Sequence, residues 1–328
     1  MSSVITRDHN GQHQPLTVEV ERKLTDVASF QYLLSLESDK SRETMRSHLN
    51  NVARLFGVSD HAMFRWELLD SDVVYYIRER FQTLGLSPAT INTILCAIRQ
   101  TVKHAFMKKQ ISHENYDRIK LVNNLKASKI VSNRVLSSEE IRDFLSACDD
   151  NSFAGLRDAV LFLTMVGCGL RRAEAVAIKI DQIDLAHREI VITGKGSKER
   201  RVWYPQLTAD YLREYLQELR GKGPGALFVR MNKYDDPVLS SKKSLSTVPG
   251  ITPPAVNYIL KKRGLLGSVD GFKPHDLRRT FATKQLSTGT DIKTVSKLLG
   301  HASIVTTQIY DLRDDDVAKK AARDHQIL

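Results

Sequence analysis

One stretch interrupts a chain whose apolar residues otherwise recur with helical period. Residues 188–205, REIVITGKGSKERRVWYP, hold two β-rich runs around a Gly-Lys-Gly turn, the pattern of a single β-hairpin. A chain with one hairpin among many helices is mainly α with a small antiparallel sheet, and 328 residues are enough for two domains with separate cores. Residues 1–15 carry no apolar period and are expected to be disordered. From 16 to 125 every strong signal is helical: Ser41 opens SRETMRSHLNNVARLFG, and Ser87 with Pro88 opens SPATINTILCAIRQTVKHAFMKK. LKASKIVSNR marks a polar linker at 126–134, and the capping box Ser137-Ser138-Glu139-Glu140 starts the second domain, 135–328. Residues 231–251 read as a long loop.

Charge narrows the partner. Lys and Arg number 49 against 38 Asp and Glu, a net charge of +11, which favours a polyanion, nucleic acid before an anionic membrane. Basic side chains including Arg99 and Lys103 gather on the polar face of the 87–109 helix, and Arg200 and Arg201 on the hairpin. Three widely spaced cysteines, Cys96, Cys148 and Cys168, make no CxxC pair, so neither a disulfide framework nor a zinc knuckle is indicated, and buried reduced thiols are expected. Residues 1–14 lack the apolar core of a signal peptide, and VLFLTMV at 160–166 is too short to span a bilayer. A cytoplasmic protein is expected.

Four local groupings carry chemistry. In GCGLRRAEAVAI, 167–178, Arg171 and Glu174 stand three apart, the spacing of one helix face. GKGSKERR, 194–201, concentrates Lys195, Lys198, Arg200 and Arg201, and does not fit the GxxxxGK[ST] nucleotide loop. KPHDLRRTFAT, 273–283, sets His275 and Arg278 one turn apart beside Arg279, just inside a helix entered through Pro274. LLGHASIVTTQIYDL, 298–312, places His301 after Gly300 and Tyr310 nine residues on. On one straight helix nine residues rotate by about 900°, so the two side chains would point apart. A helix ending near Leu299 with Gly300 as left-handed cap, then a short helix capped by Ser303 and carrying Tyr310, brings them together. Arginines, lysines, histidines and one tyrosine, with no HExxH-type metal motif, suit phosphodiester chemistry without metal or cofactor.

In order and spacing, GLRxxE, GKGxKER, HxLRRTFAT, LLGH and the late tyrosine resemble the tyrosine recombinase family, which includes phage integrases and the resolvases of chromosome dimers and transposon cointegrates. The resemblance spans the second half of the chain, and the helical first half is similar to the family's core-binding domain. Arg172 and Cys168 depart from the family's usual apolar residue and threonine. The resemblance implies a two-domain DNA clamp in which Tyr310 attacks a DNA phosphodiester to give a 3′-phosphotyrosyl link. Arg171, Arg278, His275 and His301 would form the catalytic set with Lys195, and Glu174 would support Arg171; Lys198 competes with Lys195 as general acid. Arg99, Lys103, Arg200, Arg201 and Arg279 are the expected DNA contacts. A homo-tetramer on two duplexes follows, with accessory DNA-bending proteins as further partners and a tail helix in 314–328 docked on a neighbouring subunit. A type IB topoisomerase and a non-catalytic DNA-binding module are the rival readings.

Overall fold

The computed structural model describes residues 5–7, 13–15, 26–126, 134–194, 199–237, 249–301 and 303–311. The chain divides into two compact units, 1–130 and 131–328. The expected linker core at 127–133, the hairpin tip with Lys195 and Lys198, the loop segment 238–248 and the tail 312–328 lie outside the described residues.

In the first unit, β1 (Ile5–Arg7) pairs antiparallel with β2 (His13–Pro15), within the stretch expected to be disordered. Among the described residues five α-helices follow: α1 (Ala28–Leu34), α2 (Asp39–Leu55), α3 (Ser71–Thr83), α4 (Pro88–Met107) and α5 (His113–Lys120). Short polar side chains start four of them, with Ser38, Asp70, Ser87 and Ser112 each accepting the N–H three residues on. α2 therefore begins before Ser41, because Ser38 takes the Ser41 N–H. α4 is central: Ile91, Ile94, Leu95, Ala97, Ile98, Val102 and Ala105 are fully buried, packed by α1, α2, α3 and α5. Cys96 falls on the other face of α4 and is exposed, which corrects the expectation of three buried thiols; Cys148 and Cys168 are buried. Burial pushes both of those thiols up to about 12.

The second unit runs α6 (Ser138–Ser146), α7 (Phe153–Cys168), α8 (Arg172–Ala177), β3 (Ile183–Asp184), β4 (Glu189–Thr193), β5 (Glu199–Trp203), α9 (Gln206–Tyr215), α10 (Pro253–Leu266), α11 (Pro274–Ser287), α12 (Ile292–Leu299) and α13 (Val305–Gln308). The predicted hairpin is present as β4–β5, with Ile190 opposite Val202 and Ile192 opposite Arg200. The two-residue β3 joins it as a third antiparallel strand; so short a strand leaves no period for sequence to reveal. α7 is buried around most of its circumference and packs on α9 and α11. Its two charged residues are neutralised internally: Asp158 accepts from Arg157 at 2.6 Å and from Arg263 of α10 at 3.0 Å. Among the described residues no helix is long and apolar enough to cross a membrane.

Two glycines shape the region where the four groupings meet. Gly169 ends α7 at φ +62, and a Cβ there would stand 2.5 Å from Phe281 and 2.8 Å from Leu299, so both conformation and space require glycine. Gly300 ends α12 at φ +64. Its N–H returns to Lys297 and the His301 N–H to Ser296, at 3.0 Å each, a left-handed helix cap that turns the chain sharply at His301. Ser303 does not cap α13 with its side chain, and Tyr310 lies just past the helix rather than on it.

Candidate active site

The Arg171–Glu174 relationship is a helix cap rather than a surface pair. Arg171 is the N-cap residue of α8, and Glu174 reaches back to accept the Arg171 N–H at 2.8 Å and its Nη1 at 2.8 Å. Glu174 is 7% exposed and Arg171 46% exposed, so the carboxylate is buried while the guanidinium faces outward. A second fork closes on the same carboxylate: Arg200 donates Nη1 to Oε1 at 3.1 Å and Nη2 to Oε2 at 2.9 Å. Burial raises the Glu174 carboxyl, but the bonds from Arg200 and Arg171 outweigh it and hold the group below the usual carboxylate range.

Arg278, one turn into α11 and 1% exposed, is anchored by carbonyls at the ends of two other helices. Nη1 donates to Gly169 O and Nη2 to Leu299 O, both at 2.7 Å. The same Nη2 meets Nε2 of His301 at 2.7 Å. A guanidinium only donates, so Nε2 accepts, and the imidazole proton sits on Nδ1, where it donates to Thr307 Oγ1 at 2.8 Å. Burial, together with Arg278, Arg171 and Arg200, drives the His301 pKa down to about 4, which leaves a neutral ring at pH 7. Burial and the Arg171 charge likewise lower Arg278 to about 10, where it still keeps its proton.

Tyr310 lies against both histidines. Its Oη is 3.2 Å from Nε2 of His275, its ring stacks on His301 at 6.1 Å and 27°, and the Arg279 guanidinium stands 5.7 Å from the ring centre. Thr283 fixes the turn by donating to Tyr310 O at 3.2 Å. Tyr310 is 1% exposed, its ring set among Phe281, Ala282, Leu286, Val295 and Leu299 while its oxygen faces the polar group. His275 is pushed below the ordinary histidine range by burial and by the charges of Arg278 and Arg279. Arg171, His275 and Arg278 also line a cavity of about 680 Å³, with Lys261 and Lys273 on its wall.

Six sequence candidates, Arg171, Glu174, His275, Arg278, His301 and Tyr310, thus converge. Lys195 and Lys198 lie outside the described residues. Of the candidate DNA contacts, Lys103 is exposed and Arg201 is 69% exposed beside Glu189. Arg99 bonds instead to Val122 O and Asn124 Oδ1. Arg279 is 3% exposed beneath the tyrosine ring. Arg200 is turned inward onto Glu174, because strand alternation puts it on the buried face with Val202. That alternation was the available signal for its position; nothing in sequence pointed to Thr307.

Three guanidinium groups, those of Arg171, Arg200 and Arg278, thus stand around one carboxylate, with two imidazoles and a phenol beside them. The phage integrase family matches residues 134–316. Tyrosine recombinase XerD of Lacticaseibacillus casei is 29% identical over 290 residues, 87% of this chain and 92% of that protein. The Tn1549 transposon integrase in complex with transposon right end DNA has a TM-score of 0.66 at 14% identity, covering 92% of this chain and 99% of that one. A lambda integrase dimer bound to a COC′ core site has a TM-score of 0.64 at 15% identity, covering 93% and 97%; these two likenesses concern the fold. The chain belongs to the phage integrase family. It is a tyrosine recombinase, an enzyme of site-specific DNA recombination by strand exchange.

Proposed function

We propose that Tyr310 cuts DNA by attacking a phosphodiester, forming a 3′-phosphotyrosyl bond and releasing a 5′-hydroxyl, which on a partner strand then reverses the step. The observation that carries this reading is the 3.2 Å approach of the Tyr310 hydroxyl to Nε2 of His275 inside a cationic cluster. An unassisted phenol has a pKa of about 10, so ionising it at pH 7 costs about 4 kcal/mol. His275, kept neutral by burial and its arginine neighbours, accepts that proton as the bond to phosphorus forms. Arg171 and Arg278 take the non-bridging oxygens, since guanidinium forks bind them in pairs and hold their charge. His301 keeps Arg278 aimed by accepting from its Nη2. The departing 5′-oxygen needs a proton, and Lys195 or Lys198 on the hairpin supplies it. Bond energy is conserved in the intermediate, so no ATP is required.

Both units bind DNA, with Lys103 and Arg201 among the phosphate contacts. The working assembly is a homo-tetramer on two duplexes in the cytoplasm, assisted at some sites by DNA-bending proteins. Two differently labelled duplexes carrying the sequences that flank the chain's own gene test this directly. Joint products that disappear with Tyr310→Phe support the reading. Relaxation of supercoils without joint products supports a topoisomerase, and binding without any covalent product supports a binding module.

A further inference from the structure

Arg200 occupies a place that neither a surface cation nor a phosphate ligand would take. Its side chain is 15% exposed. Both Nη atoms are spent on Glu174, and Nε donates to Leu298 O at 3.1 Å. The side chain also passes close to Gly300: a Cβ there would stand 3.0 Å from Cδ, 3.1 Å from Nε and 3.2 Å from Cζ. One side chain from β5 therefore holds α8 through Glu174 and the last turn of α12 through Leu298, immediately before His301.

Glu174 is the shared element. Its two oxygens serve the Arg171 N–H, Arg171 Nη1 and both arms of Arg200, while Nη1 of Arg278 stands 4.0 Å from Oε2, beyond hydrogen-bond reach. A carboxylate satisfied by Arg200 makes no further claim on Arg278. A carboxylate deprived of it would draw Arg278 inward, away from any phosphate.

We propose that Arg200 is a positioning residue of the cleavage reaction: by saturating Glu174 and clamping the Leu298–Gly300 turn, it keeps Arg278 and His301 set for the scissile phosphate. This rests on the assignment of Tyr310 as nucleophile. Displacements of about 1 Å among such groups cost on the order of 100-fold in rate, so the effect belongs in the chemical step and not in site affinity.

The test uses the full chain and nicked suicide duplexes built from the DNA flanking its gene, with covalent adduct followed at saturating protein. Arg200→Gln keeps one donor and loses the fork; adduct formation is expected to slow about tenfold or more, with half-saturating concentration changed less than about threefold. Arg200→Lys keeps the charge but not the geometry and falls between. Added to Glu174→Gln, Arg200→Gln is expected to cost less than it does alone, because the shared Glu174 contact is already lost and only the Leu298 contact remains to be removed. The acid limb of the rate profile also moves to higher pH in Arg200→Gln. Glu174, faced by Arg171 from α8, Arg200 from β5 and Arg278 from α11, then loses its strongest hydrogen-bonded partner. A structural role alone would not move that limb. Wild-type rates in Arg200→Gln overturn the inference, as do additive losses with an unmoved acid limb, or a loss confined to affinity. No adduct from the wild type overturns the tyrosine assignment and this inference with it; normal wild-type adduct beside an unaffected variant overturns this inference alone.

Discussion

Arg278 donates from Nη2 to Nε2 of His301 across 2.7 Å, and that bond decides which imidazole nitrogen carries the proton. With Nε2 accepting, Nδ1–H must point at Thr307. Thr307→Val removes the acceptor from a buried N–H, so stability is expected to fall by about 1–3 kcal/mol. Adduct formation should slow with it, while Thr307→Ser retains both. Thermal melts and single-turnover cleavage of the two variants check this, and equal behaviour of Val and Ser would contradict it.

Arg278 is more deeply committed than Arg171. Replacing it with Ala strands the carbonyls of Gly169 and Leu299 as well as His301 Nε2, whereas Arg171, 46% exposed, leaves chiefly Glu174 behind. Both changes are expected to lower cleavage by about 100- to 1,000-fold. Only Arg278→Ala should also lower the melting temperature substantially, which calorimetry on the pair will measure.

Stability should fall with acid in a defined window. The folded-state pKa of His301 is depressed to about 4 from an ordinary 6.5, so below pH 6.5 the unfolded chain binds more protons than the folded one. Stability is therefore complete above about pH 6.5 and is lost as pH falls toward 4. His275 is depressed too and acts in the same direction. Melting temperatures from pH 7 to 4 should decline in the wild type and decline less steeply in His301→Gln.

Gly169→Ala meets two obstacles at once, a φ of +62 and a contact of 2.5 Å to Phe281. A loss of more than about 1 kcal/mol is expected, together with slower cleavage, since Gly169 O is an anchor of Arg278. Urea titration beside the cleavage rate checks both halves of the prediction.

Much of this centre was legible in the sequence wherever a local rule governs the backbone. Gly300 after an apolar period announced a left-handed cap, Ser87-Pro88 a helix start, and the alternation around Gly-Lys-Gly a hairpin. What sequence spacing hid was tertiary. Arg171 and Glu174 read as neighbours on a helix face, yet Arg171 sits outside the helix and caps it. Arg200 read as a DNA contact on the hairpin, yet it meets Glu174 from 26 residues away and Leu298 from 98. Such partners are set by how α8, β5 and α12 pack, and no short-range pattern records that. Cys96 is exposed for a smaller reason: among the described residues the thiol falls outside the buried positions of α4.

One oxygen atom, the Tyr310 hydroxyl, is the one expected to bond to DNA. After reaction with a nicked suicide duplex, digestion and mass spectrometry of the DNA-linked peptide locate the bond. A nucleotide joined through its 3′-phosphate to Tyr310, and no linked peptide from Tyr310→Phe, is the predicted result. A covalent link on any other residue, or an undiminished adduct in Tyr310→Phe, would contradict it.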